Sequence, residues 1–365
     1  MSTKNTQNTI SWKKKLLFSL LSTLFLIVFL NIACSLGERL AYGAFWGQDR
    51  PQGLYIHKTG ERPRLKPNAS LNGWLYQISI NSHGFRGPEL ESPKPQNGFR
   101  IWCMGGSTTF DIFSDTDQNT WPAQTQRLLS ERFPDKKIEV LNAGIPGEVL
   151  FGSTEDFLRL QKDIKADAVI IYHGPNDLRQ ILAAPRQQQN SHQNKQMGQA
   201  DHQSPLGFLL DRKDFAFIRV LRRNLKETLP IPKEWEANQM TQQQLNDVQR
   251  RLEQTIQTVK RNRALPILAT HALKAQDGDT GDIAKHRAAE TTSLLRMTPQ
   301  RSIETFHYYN QMVKALALKY QIPIADVRSV VGPEAANWGD ATHFAPPGSA
   351  LAAKEFVNAV SESIK

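Results

Sequence analysis

A chain of 365 residues with a net charge of +10 and 39% apolar residues is long enough for one large domain or two small ones, and apolar enough to bury a core. Its lysines and arginines are scattered rather than interleaved with aromatics in a stripe, which argues for a solvated basic surface and against nucleic-acid binding. Two cysteines, Cys34 in an apolar segment and Cys103 in a candidate strand, exclude a disulfide scaffold.

The first element is membrane-like. Leu16 to Leu36 is 21 residues without a charge, which as a helix spans roughly 30 Å, the apolar thickness of a bilayer. Lys13, Lys14 and Lys15 precede it, so residues 1–15 stay cytoplasmic and the bulk of the chain is exported. An anchor, a cleaved signal peptide and a lipoprotein signal ending at Cys34 all begin this way. The stretch is longer than a signal-peptide core, and no A-x-A site follows it. Asn31-Ile32-Ala33 also lacks the leucine expected three positions before a lipidated cysteine. An anchor over 16–36 is the expectation.

Residues 37–98 read as a connecting region with a small β element. Trp74 to Ile80 is rich in aromatic and β-branched residues, and Asn81-Ser82-His83-Gly84 reads as a turn. From residue 99 to 365 the pattern becomes one of alternating strands and helices. Short apolar runs fall at 100–104, 138–141, 168–172, 265–269 and 322–327. Between them, Leu245, Val248, Leu252, Ile256 and Val259 recur at helical spacing behind a Thr241 cap with Gln244 three residues on. Phe306, Tyr309, Val313, Leu316 and Tyr320 repeat the pattern. This succession predicts a parallel sheet covered on both faces, with functional groups at the carboxyl ends of its strands. Two insertions interrupt it, near 185–240 (with the glutamine-rich stretch 187–203) and at 274–301. Each follows a strand's carboxyl end and is placed to overhang a site.

Four strand ends carry the chemistry. They are Gly105-Gly106-Ser107, the loop Asn142 to Gly147, His173 to Asp177, and Gly339 to Phe344 ahead of the terminal helix. Alone, each reads as turn or cap. Together they contain the parts of an acyl-transfer site. Ser107 is a hydroxyl nucleophile that needs a base. His343 can be that base, with Asp340 three residues earlier to hold its ring and stabilise the imidazolium. Donors for an oxyanion are available at the Ser107 amide, a backbone amide at Gly147 and the Asn176 side chain.

This set resembles the SGNH (GDSL-like) hydrolase family, whose four blocks supply serine, glycine, asparagine and histidine, here Ser107, Gly147, Asn176 and His343. The resemblance covers roughly 99–184 and 245–362, and the NSHGFRG stretch at 81–87 looks like the lead-in of membrane-attached bacterial members. It implies a flavodoxin-like α/β/α sandwich with a five-stranded parallel sheet, ester hydrolysis through an acyl-enzyme, and no cofactor. The catalytic part would then lie on the periplasmic side of an inner membrane. The first block departs from the family, because Gly106 stands where an aspartate is usual, which puts local loop order in question. In the second block Gly144 and Gly147 both lie in the loop, and aligning Asn142 favours Gly147.

Other polar residues have plainer readings. His173 can line the pocket, with Gly106 and Gly144, or be structural; His271 reads as structural. Asp115 and Asp117 lack spaced histidine partners and read as a solvated loop rather than a metal site. Asp177 is expected to cap the turn that follows it, and Trp338 to be a pocket wall or ordinary packing. The leading functional reading is an extracytoplasmic serine esterase acting on O-acetyl or lipid esters. An O-acyltransferase on a surface polysaccharide, using the same residues, and a non-catalytic envelope assembly protein are the alternatives.

Overall fold

The computed structural model describes residues 11–44, 46–47, 50–51, 53–56, 62–183, 216–218, 220 and 231–364. The glutamine-rich stretch 187–203 lies outside them.

The chain opens with α1 (Trp12–Tyr42), a 31-residue helix of mean hydropathy 2.5 in its most apolar window, long enough to cross a membrane and with none of that window buried in the protein. It extends beyond both ends of the charge-free run. Trp12 and the three lysines lie on its first turns, and it ends where Gly43 adopts a left-handed conformation at φ +75°.

Five strands form the central sheet: β1 (Gly98–Gly105), β2 (Lys137–Asn142), β3 (Ala168–Tyr172), β4 (Leu265–Ala269) and β5 (Ile324–Ala325). Their spatial order is β2-β1-β3-β4-β5, and every neighbouring pair is parallel. This is the doubly wound order whose switch point lies between β1 and β3. The expected strand at 322–327 is cut to two residues. Pro323 has no N–H to give the ladder, and the Asp326 amide donates to the Glu355 carboxylate at 2.9 Å instead.

Five further helices cover the sheet: α2 (Trp121–Arg132), α3 (Leu150–Ile164), α4 (Gln242–Arg261), α5 (Pro299–Tyr320) and α6 (Pro346–Ser361). Alternation along the strands assigns the layers. Trp102, Met104, Val169 and Ile171 pack with Phe157 of α3, Ile256 of α4 and Phe306 of α5. Ile101, Cys103, Ile170 and Tyr172 point the other way, onto Trp121 of α2 and Phe356 of α6. The fold is thus a three-layer α/β/α sandwich. Burying each such side chain stabilises it by about 1.5–3 kcal/mol. Cys34 and Cys103 are both free, the latter buried in β1.

The capping box at the head of α4 forms as expected, with the Thr241 hydroxyl accepting from the Gln244 amide at 3.2 Å and the Gln244 side chain accepting from the Thr241 amide at 2.9 Å. The connecting region contributes the pair Ser70–Asn72 with Gln77–Ser79. Its Leu71, Ile78 and Ile80 form a small core with Phe110 and Ile145 from the loops after β1 and β2. The region therefore packs against the loops that follow the first two strands.

Candidate active site

β1 leaves the sheet at Gly105 and the chain turns at once into a single helical turn, Ser107–Phe110. The Phe110 and Asp111 amides donate to the Gly106 and Ser107 carbonyls, both at 2.9 Å. As the first residue of that turn, Ser107 has no intrahelical acceptor for its own N–H. Asp111 closes the turn in a left-handed conformation at φ +64°. Its carboxylate accepts from the Trp121 amide at 2.8 Å and the Ser349 hydroxyl at 2.7 Å, and burial pushes the carboxyl up to about 6.

The second loop packs backbone to backbone on this turn. A Cβ at Gly144 would lie 2.1 Å from the Phe110 amide nitrogen, so only glycine fits there. The NSHGFRG stretch braces the same turn. The buried Arg86 guanidinium donates to the carbonyls of Phe110 at 3.0 Å, Asp111 at 2.9 Å and Ser114 at 3.0 Å, and pairs with Asp117 at 2.8 Å. Asp117 also accepts from the Ser79 amide at 2.9 Å. The expectation of a solvated loop is corrected for Asp117: it is the counter-ion of a buried arginine. Among the described residues, no cluster of histidine, cysteine and carboxylate side chains could hold a metal ion.

The loop before α6 is organised by one carboxylate. Asp340 Oδ1 accepts from the Thr342 and His343 amides, both at 2.8 Å, which leaves Oδ2 to accept from His343 Nδ1 at 2.7 Å. His343 Nε2 then meets Ser107 Oγ at 2.7 Å. A continuous chain therefore runs from carboxylate through imidazole to hydroxyl. Burial pushes the Asp340 carboxyl up, but the His343 charge and the hydrogen bonds outweigh it and hold it at about 2. For His343 burial works downward, yet the charge and hydrogen bond of Asp340, helped by Glu290 and Asp111, leave the imidazole above its ordinary value.

Ser107 and His343 open onto a cavity of about 60 Å³ whose walls also include Gly106, Asn176, Glu290 and Leu294. Asn176 donates from Nδ2 to the Glu148 carbonyl at 3.0 Å, which fixes its amide orientation; the second hydrogen of that nitrogen remains. His173 reaches the cavity wall and is also held from both sides, by Asp177 Oδ2 at 3.1 Å and Ser153 Oγ at 3.0 Å. Gly147 is exposed, at φ +86°, and neither it nor the buried Gly144, which packs on Thr109 and Phe110, is among the residues that line the cavity. Asp177 does not cap its own turn: its Oδ1 accepts from the Leu150 amide at 2.8 Å and so caps α3, which starts beside it. Trp338 packs on Phe344 with ring centroids 5.2 Å apart, away from the cavity. His271 is fully buried against Tyr172, and burial drives its imidazole down to about 3, so it is a neutral core ring.

Sequence reasoning did not single out Glu290, Leu294 or Thr342 as cavity residues. Glu290 and Leu294 come from a short helix, Ala289–Leu295, in the insertion at 274–301, which does overhang the site. A lone glutamate in a polar insertion carries no motif, and only the position of the insertion after β4 hinted at it.

Comparison with known proteins adds the family of the chain. No curated protein matches the chain. Among solved structures, a lipase/acylhydrolase from Enterococcus faecalis is similar at 17% identity and a TM-score of 0.42, covering 73% of this chain and 97% of that one. An acetyl xylan esterase from Geobacillus stearothermophilus is similar at 15% identity and a TM-score of 0.41, covering 72% and 94%. The match that decides the matter spans residues 103–351, from the middle of β1 into α6, and supports ester hydrolysis in general: the chain belongs to the GDSL-like lipase/acylhydrolase family.

Proposed function

We propose that the protein is a membrane-anchored serine esterase whose nucleophile is Ser107. The single observation that carries the proposal is the unbroken hydrogen-bond chain Ser107 Oγ–His343–Asp340 at the cavity wall. In this reading His343 Nε2 takes the Ser107 proton as Oγ attacks the acyl carbonyl, and Asp340 stabilises the imidazolium. The Ser107 N–H and the free hydrogen of Asn176 Nδ2 hold the oxyanion. Collapse expels the alcohol, which takes its proton from His343. A water activated by the same imidazole then releases the acid from the acyl-enzyme.

The cavity supports a small acyl group. A space of about 60 Å³ opens directly at Ser107, which has room for an acetyl group. Glu290 is the one carboxylate on the wall among the described residues, and its charge acts on His343. α1 supports an extracytoplasmic site held on the membrane from which it projects.

The test is hydrolysis of p-nitrophenyl acetate and p-nitrophenyl decanoate by the full-length protein in detergent. The expected result is higher kcat/KM on acetate. Higher kcat/KM on decanoate would replace the acetyl reading with a lipid one, and no hydrolysis of either would remove the esterase assignment.

A further inference from the structure

The anchor helix does not end in a free linker. Its last turn is built into the hairpin of the connecting region. The Trp74 amide donates to the Leu40 carbonyl and the Leu75 amide to the Ala41 carbonyl, both at 3.0 Å. Tyr42 stacks on Tyr76 with ring centroids 5.1 Å apart. The two backbones touch where only glycine fits: a Cβ at Gly43 would lie 2.4 Å from the Asn72 nitrogen, and one at Gly73 would lie 2.2 Å from the Ala41 oxygen. Beyond the tip, the hairpin is tied to the loop that leads from the Ser107 turn, through Gln77 N to Asp115 O at 2.7 Å and Ser79 N to Asp117 at 2.9 Å.

That junction sets the height of the hairpin tip. If Leu16 to Leu36 fills the roughly 30 Å apolar core, Leu40 lies four residues, or about 6 Å, past its edge. The headgroup layer beyond that edge is about 5–8 Å deep per leaflet. Trp74, bonded to Leu40, is therefore level with the layer in which tryptophan is enriched. It is 82% exposed, Leu75 beside it 49% and Leu40 70%. Three large apolar side chains exposed together, continuous with a membrane helix, need a covering that the rest of the described protein does not give them.

We propose that the tip Trp74–Leu75 is a second membrane contact, inserted in the headgroup layer of the bilayer that α1 spans, and that it fixes the height and orientation of the catalytic unit on the membrane. The proposal rests on α1 being retained as an anchor, and the test separates the two.

The full-length protein and its Trp74→Phe variant are reconstituted in phosphatidylcholine vesicles, and the Trp74 emission is taken as their difference. Flotation after alkaline carbonate washing, with an intact N-terminus by mass, establishes the anchor in the same sample. The expected result is a Trp74 emission quenched by lipids brominated near the top of the acyl chain and shielded from aqueous iodide by at least about threefold relative to free tryptophan. In a floating sample, iodide-accessible and bromolipid-insensitive emission overturns the interfacial contact and leaves the anchor standing. A chain that loses its N-terminus or fails to float overturns both.

Discussion

Asn176 occupies the space that a side chain at position 106 would need: a Cβ on Gly106 would lie 2.8 Å from Asn176 Nδ2 and 3.3 Å from the Glu148 carbonyl that this nitrogen bonds. The glycine that departs from the family pattern is thus matched to the asparagine across the cavity. Restoring the aspartate, Gly106→Asp, is expected to lower kcat rather than raise it, by about 10²-fold, the size of one lost oxyanion donor. Asn176→Ala should cost about as much. Adding Gly106→Asp to Asn176→Ala should then cost little more, because the displaced group is already gone. Steady-state kinetics on p-nitrophenyl acetate checks all three, and additive losses would show that Gly106 acts independently of Asn176.

The pH profile should follow His343. The reaction needs its neutral form, so activity falls as pH falls through the imidazole's value. That value lies above the ordinary 6.5, and the acidic limb of kcat/KM should do the same. Asp340→Asn removes the carboxylate that raises it. The expected outcome is a limb moved to lower pH and a kcat loss of about 10⁴-fold, the scale seen when the orienting carboxylate of a Ser-His-Asp triad is neutralised.

Glu290→Gln tests the overhanging insertion. Glu290 raises His343 through its charge, so the variant's acidic limb should also move down, by less than in Asp340→Asn, with kcat at the plateau within about threefold of the parent. An acidic limb left in place would show that Glu290 does not act on His343.

Arg86→Met should cost stability well beyond its distance from the reacting atoms. It strands the Asp117 carboxylate and three carbonyls in a part-buried site, and removing one partner of a buried pair costs about 3–5 kcal/mol. Urea unfolding followed by tryptophan emission checks this. Arg86→Lys should not restore it, since one ammonium cannot reproduce four diverging contacts.

The parallel sheet was legible because its strands are buried on both faces and read as unbroken apolar runs, as in 168–172 and 265–269. β5 is shorter than the apolar run 322–327 predicts, because such a run does not reveal which amides reach a ladder. Ser107, Asp340 and His343 were legible as short motifs at strand ends. The Asp-x-x-His spacing suggested that Asp340 holds the imidazole, whereas the pairing of His343 with Ser107 was expected only from the assembled set of motifs, since the two are 236 residues apart in sequence. Arg86, Glu290 and the reach of Asp177 to α3 were out of sight for the same reason: each acts on a segment distant in the chain and has no local periodicity to mark it.

The most direct measurement is the mass of the enzyme during turnover. The full-length protein is mixed with p-nitrophenyl acetate, quenched in acid within the first turnovers, and digested for peptide mass spectrometry. Acetylation of the peptide carrying Ser107, absent from Ser107→Ala together with all but a residual about 10⁻³ or less of the turnover, is the result predicted. Turnover that persists undiminished in Ser107→Ala, or an acetyl group found on another residue of a normally active enzyme, would contradict the assignment of Ser107 as nucleophile.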